Sequence, residues 1–189
     1  MSYEDELKNA LSVLRSGGVI LYPTDTIWGI GCDATNDQAI KKIFSIKQRN
    51  ESKSMIILAD DESRVMRYVK DIPPNTGELI EYSDRPLTII YPNAINLPAA
   101  LIAQDGSVAI RIVKDEFCRQ LIYKLNKPIV STSANISNQP APVSFKEIAE
   151  VIKQAVDCVI NLRQHEKKFV QPSVIVKLEM DGKIKFIRM

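Results

Sequence analysis

Three short polar clusters each stand where an apolar, strand-like run ends: Thr24-Asp25-Thr26, Lys47-x-Arg49 followed by Lys53, and Ser131-Thr132-Ser133-Ala134-Asn135. The ends of buried strands are where layered α/β proteins place their sites. In extended backbone, residues two apart face the same side, so the spacing predicts that Lys47 and Arg49 point together, as do Ser133 and Asn135. Two cations opposite a hydroxyl and an amide form an anion cradle. Arginine offers a planar fork for phosphate or carboxylate and lysine a point charge, while the neutral groups orient an oxygen without adding charge. Taken singly, either fragment fits a solvated helix end or a polar turn better than a site.

These clusters need rigid elements behind them. Ser2 and Asp5 have the spacing of a capping box, and Leu7, Ala10, Leu11 and Leu14 recur at helical intervals until Gly17. Val19–Tyr22 is apolar throughout and reads as a strand covered on both faces. Gly29 and Gly31 flank Ile30 as the chain leaves the turn, allowing close approach of backbone or ligand. A helix from Asn36-Asp37 carries Ala39, Ile40, Ile43 and Phe44 on one face and delivers the chain to Lys47. Met55–Ala59, Pro86–Tyr91, Ser107–Ile112 and Pro128–Thr132 read as further strands, with helices after Asp61 and over Glu116–Leu125. Ser144 and Glu147 predict a capping box opening a helix through about Gln154, then a short strand at Cys158–Ile160. Val174–Leu178 and Ile184–Ile187 around Asp181-Gly182 predict a closing hairpin. Helices alternating with buried strands predict an α+β (layered α/β) fold, a twisted mixed β-sheet flanked by helices, in a single domain over 1–189.

Composition narrows the class. With 45% hydrophobic and 25% charged residues in 189, the chain can bury one sizeable core, and disorder is excluded. A net charge of +2 is too small for a nucleic-acid binder recruited by bulk electrostatics. Apolar runs are strand-sized, so no membrane span is expected, and the acidic N-terminus lacks a secretory pattern, which makes cytoplasm the expected location. Cys32, Cys118 and Cys158 are too widely spaced for a disulfide framework or a metal site and read as buried thiols. His165 reads as a solvated loop residue and Lys167-Lys168 as a solvated pair.

Read together, the ordered motifs resemble the YrdC-like family of threonylcarbamoyl-AMP synthases. The match runs through Gly17-Gly18-Val19-Ile20-Leu21-Tyr22-Pro23-Thr24-Asp25-Thr26-Ile27-Trp28-Gly29-Ile30-Gly31, Lys47-x-Arg49, Val108–Arg111, Ser131–Ser137, Pro172–Val176 and Ile187-Arg188. The resemblance implies the YrdC-like fold and a nucleotidyltransferase that condenses L-threonine, bicarbonate and ATP into L-threonylcarbamoyladenylate, releasing pyrophosphate. A separate tRNA threonylcarbamoyl transferase complex would then use the product on the adenosine beside the anticodon. It implies that Lys47, Arg49, Ser133 and Asn135, with Arg188, grip the nucleotide. Thr24 or Thr26, Lys53, Arg111, Ser131 and Ser173 would serve threonine, carbamate or the nearby phosphates. Magnesium would arrive with ATP, held by phosphate and water, since no carboxylate cluster suggests a dedicated metal cage.

Several positions depart from the family pattern: Asn50 and Ser54 where proline is usual, Trp28 for tyrosine, Asn138 for glycine, and Lys177 for aspartate. They bear on the threonine side more than on the nucleotide side. A reading from another class is a YciO-like paralogue without synthase activity that binds tRNA or double-stranded RNA through the basic hollow. That reading predicts steeply salt-dependent affinity.

Overall fold

The computed structural model describes residues 2–49, 55–166 and 172–189. Lys53, Asn50, Ser54 and the Lys167-Lys168 pair lie outside the described residues. Helix α1 (Tyr3–Arg15) opens on the expected capping box, with the Asp5 backbone N–H donating to Ser2 Oγ and the Ser2 N–H to the Asp5 carboxylate. Strand β1 (Ile20–Tyr22) follows, and the three-residue strand β2 (Gly29–Gly31) folds back on it in antiparallel register, Leu21 opposite Ile30. The close backbone approach expected of those glycines is present, within a strand that the sequence reading did not assign. At Gly31 nothing larger fits: a Cβ there would penetrate the Val130 carbonyl and lie 2.7 Å from the Tyr22 ring, whereas one on Gly29 would come no closer than 3.3 Å to Ser131 Oγ.

Helix α2 (Asp37–Lys47) is capped by the Asn36 side chain and leads to β3 (Ile56–Ala59), α3 (Glu62–Val65), α4 (Thr76–Glu81), β4 (Leu87–Tyr91) and β5 (Val108–Ile112). Then come α5 (Glu116–Leu125), β6 (Ile129–Ser133), α6 (Glu150–Ala155), β7 (Cys158–Val159) and the hairpin β8 (Val174–Leu178) and β9 (Ile184–Arg188). The helix expected from Ser144 is shorter and later. Ser144 Oγ donates to the Glu147 carboxylate instead of accepting a backbone N–H, so only a 3-10 turn forms over Phe145–Glu147 before α6.

Nine strands form one mixed sheet in the order β7-β1-β2-β6-β3-β5-β4-β8-β9. Neighbouring residues on a strand point to opposite faces. One face sends Ile30, Ile57, Ala59, Ile89, Ile110, Val130 and Val176 into a core with Ile40, Ile43 and Phe44 of α2 and Ile152 of α6. The other sends Ile20, Tyr22, Leu58 and Ile129 into a core with Leu7, Leu11 and Leu14 of α1 and Phe117, Leu121 and Ile122 of α5. All three cysteines are buried free thiols.

The second core stops partway across the sheet. Strand register continues its face through Gly29, Ser133 and Ser131, then Ile56, Ala109, Arg111, Ile90 and Ile175. Instead of meeting a helix, these residues line a cavity.

Candidate functional site

The cavity has a volume of about 380 Å³, within the range of roughly 300–1,000 Å³ typical of small-molecule sites. Its floor is apolar, made by Ile56, Ile90, Ala109 and Ile175, and its walls carry Thr26, Ser131, Ser133 and Ser173 with the three arginines Arg49, Arg111 and Arg188. Each arginine arrives from a different element: the end of α2, strand β5, and strand β9.

Arg111 is 4% exposed. Its Nη1 donates to Thr26 Oγ1 at 3.1 Å and lies 3.3 Å from Asp25 Oδ1, while its buried Nε has no hydrogen-bond partner. Arg188 is held by Ser173, donating from Nε and Nη2 to the Ser173 carbonyl at 3.0 and 2.8 Å. Ser173 Oγ in turn sits 2.9 Å from the buried Thr88 hydroxyl. That chain fixes the last strand's arginine from beneath. Burial lowers the pKa of both Arg49 and Arg188, and the charge of Arg111 lowers Arg188 further. Three guanidinium groups converge on the hollow, and among the described residues its lining contains no carboxylate. A bound anion would relieve both their desolvation and their mutual repulsion.

The other expected site residues stand behind this surface. Thr24 is buried and builds the turn: its Oγ1 donates to the Ile27 carbonyl at 2.8 Å and accepts the Thr26 N–H at 3.1 Å. It lines a smaller recess of about 80 Å³, which shares Thr26, Ile27 and Trp28 with the main cavity. Lys47 is 1% exposed, and its Nζ donates to the carbonyl oxygens of Ser133 and Asn135, the latter at 2.7 Å. Asn135 Nδ2 donates to the carbonyls of Ile136 and Gln139 at 3.0 and 2.6 Å. Neither residue is part of the cavity lining.

The expected common direction of Lys47 and Arg49 fails for a local reason. Lys47 is still helical, and Gln48 then takes the left-handed conformation (φ 48°, ψ 43°) as the cap of α2, so the two side chains leave a turn rather than a strand. A left-handed non-glycine residue is strained by about 1 kcal/mol, partly offset by glycine's greater freedom in the unfolded chain. Gln48→Gly is expected to raise stability by about 0.5 kcal/mol, read as a higher urea midpoint at unchanged slope.

Burial, and after it the charge of Arg49, lowers the pKa of Lys47 from 10.5 to about 8. With its folded pKa below its unfolded one, the native state binds fewer protons between those values. Stability therefore rises as pH climbs from about 8 to about 10.5, and the full cost of the buried charge applies below that window. Urea unfolding across this window is expected to show that component of slope in the parent protein and its loss in Lys47→Met.

Sequence reasoning passed over Asp25 as the partner of Arg111, Thr88 as the support of Ser173, and the apolar floor. The alternation of each strand carried part of that signal. The strand order that assembles the floor is not written in any one segment.

Residues 12–189 match the Sua5_yciO_yrdC family model, described as "Telomere recombination". The chain belongs to the Sua5/YciO/YrdC family. A relative from Pseudoalteromonas translucida (strain TAC 125), named threonylcarbamoyl-AMP synthase, is 33% identical over 187 residues, 97% of this chain and 98% of its own length. That kinship supports an enzymatic role. Sua5 of P. abyssi, solved complexed with L-threonine, superposes with a TM-score of 0.84 at 27% identity, over 94% of this chain and 52% of that one. This Sua5/YciO/YrdC chain thus spans about half the length of the P. abyssi protein. E. coli YciO, at 21% identity and a TM-score of 0.81, covers 99% of this chain and 89% of its own and shares the fold.

Proposed function

We propose that the protein is an L-threonylcarbamoyladenylate synthase. In this reading the amine of L-threonine and bicarbonate combine to a carbamate with loss of water. A carbamate oxygen then attacks the α-phosphorus of ATP, a new P–O bond forms, and the bond to the bridging oxygen breaks to release pyrophosphate. The substrate supplies the nucleophile, so the protein must position the reactants and neutralise charge.

Arg49 and Arg188 are assigned to the phosphates, where developing negative charge on the leaving pyrophosphate meets guanidinium groups already desolvated by burial. Ser133 orients a phosphate oxygen without adding charge. Arg111, with Thr26, Ser131 and Ser173, is assigned to the amino-acid carboxylate and the carbamate, and Thr24 shapes the turn that presents Thr26. Lys53, outside the described residues, keeps the role the resemblance implies for it, toward threonine, carbamate or the nearby phosphates. The observation that carries this reading is the convergence of three arginines from three elements on one hollow lined by neutral hydroxyls.

Magnesium enters this proposal only as the companion of ATP. Among the described residues no carboxylate lines the cavity, the neighbouring Asp25 is engaged by Arg111, and no group of three metal-ligating side chains occurs. The described donor set does not fit a resident metal. No described helix is long and apolar enough to cross a membrane. The product would pass to a separate tRNA-modifying transferase.

The test is pyrophosphate release from ATP by the purified protein. Release that requires both L-threonine and bicarbonate is expected. Folded protein that binds ATP and releases no threonine-dependent pyrophosphate would overturn the reading.

A further inference from the structure

Lys47 and Asn135 have the right types and spacing to hold a ligand, yet the Lys47 ammonium and the Asn135 amide NH2 donate inside the protein, and the Asn135 Oδ1, which has no hydrogen-bond partner, is buried away from the cavity lining. The Lys47 ammonium has three protons to donate, and two backbone carbonyls, those of Ser133 and Asn135, already accept from it. Its own carbonyl accepts the Ser137 N–H at 2.8 Å, so Lys47 is joined to the loop after β6 by side chain and main chain alike. Asn135 closes that loop on itself through Ile136 and Gln139. The two segments tied together in this way both reach the cavity, one with Arg49, two positions beyond Lys47, and the other with Ser133, whose carbonyl Lys47 holds.

We propose that Lys47 and Asn135 are positioning residues: a clasp between the end of α2 and the loop after β6 that sets Arg49 and Ser133 at the cavity wall, without touching the ligand. The left-handed Gln48 makes this division of labour possible. It turns the chain between Lys47 and Arg49, so one cation goes inward to the carbonyls and the next reaches the cavity. Charged donors on carbonyl dipoles form strong bonds, and a buried carbonyl stripped of its donor is costly to leave unmet. Losing Lys47 would therefore loosen the loop while leaving the remote face of the sheet as it was.

The proposal rests on the nucleotide reading only for the identity of the ligand, and its test needs no turnover. In the native protein, an amine-acylating reagent read by mass spectrometry is expected to modify Lys183, whose side chain is 82% exposed, and to leave Lys47 unmodified with or without ATP. Modification of Lys47 in the free protein that ATP suppresses would overturn the clasp, because it would place the ammonium in the ligand's path. In Lys47→Met, which removes two charge-assisted donations, amide exchange over residues 133–139 is expected to quicken about 10-fold or more, with α5 unchanged. Unaltered exchange over that loop would also overturn it. Asn135→Ala is expected to quicken the same loop amides, so the test survives if Lys47→Met fails to fold. A KM for ATP raised by Lys47→Met, with an unchanged salt dependence of ATP binding, completes the expected pattern; a salt slope reduced by one charge would mark a direct contact. If the labelling and exchange results hold and ATP does not bind, the clasp stands and the nucleotide reading falls.

Discussion

Arg111→Met is expected to destabilise the protein by about 3 to 5 kcal/mol, the cost of leaving a largely buried carboxylate without its counter-charge. The two side chains are only 5% and 13% exposed, and Arg111 is the cation beside Asp25 at 3.3 Å. Removing it also frees Thr26 Oγ1 from its donor. One effect runs the other way: Arg188 loses a like-charged neighbour that lowers its pKa, which favours the lower end of the range. The double variant Arg111→Met/Asp25→Asn separates the two roles assigned to Arg111. Urea unfolding should recover more than half of the lost stability, because the stranded charge is gone, while threonine-dependent pyrophosphate release stays absent. A single variant within about 1 kcal/mol of the parent would show that the pair contributes little to folding.

Arg49→Ala is expected to act on the ligand and barely on the fold. Arg49 lines the cavity, and burial already disfavours its charge, so losing it removes a cost as well as a contact. One charge-assisted bond of about 1.5 to 3 kcal/mol corresponds to a roughly 10- to 150-fold weaker ATP affinity, measurable by titration calorimetry. The melting temperature should stay nearly unchanged. Since Arg49 lowers Lys47, its removal should also move the Lys47 pKa back up toward its ordinary value. Unfolding of Arg49→Ala, or an unaltered ATP affinity, would contradict the role given to Arg49.

What the sequence disclosed follows the range of the forces involved. Helical and strand periodicity is local, so α1, α2, α5, β3 and the final hairpin were all legible, as was the presence of Arg111 in an otherwise apolar strand. Strand β2 was not, because two glycines in three residues carry no β-propensity. Its reason to exist is the close approach of Gly31 to Val130 from a strand a hundred residues away. The capping signature at Ser144 misled for a similarly local reason, since its hydroxyl met the Glu147 side chain before any backbone N–H did.

At the site, types and spacing identified which residues gather, and backbone conformation decided which of them face the hollow. Lys-x-Arg in a strand would give two parallel cations. Here a helix end followed by a left-handed residue gives one cation to the protein and one to the cavity. Asp25, Thr88 and the apolar floor became visible only when strands distant in sequence were set side by side, which no single segment dictates.

The most direct test is a crystal structure with a non-hydrolysable ATP analogue and L-threonine. The account predicts the triphosphate in the cavity over the sheet, with phosphate oxygens on Arg49 and Arg188, the threonine carboxylate at Arg111, and Lys47 still on the carbonyls of Ser133 and Asn135. A nucleotide bound elsewhere, with these three arginines empty of phosphate and carboxylate, would contradict it.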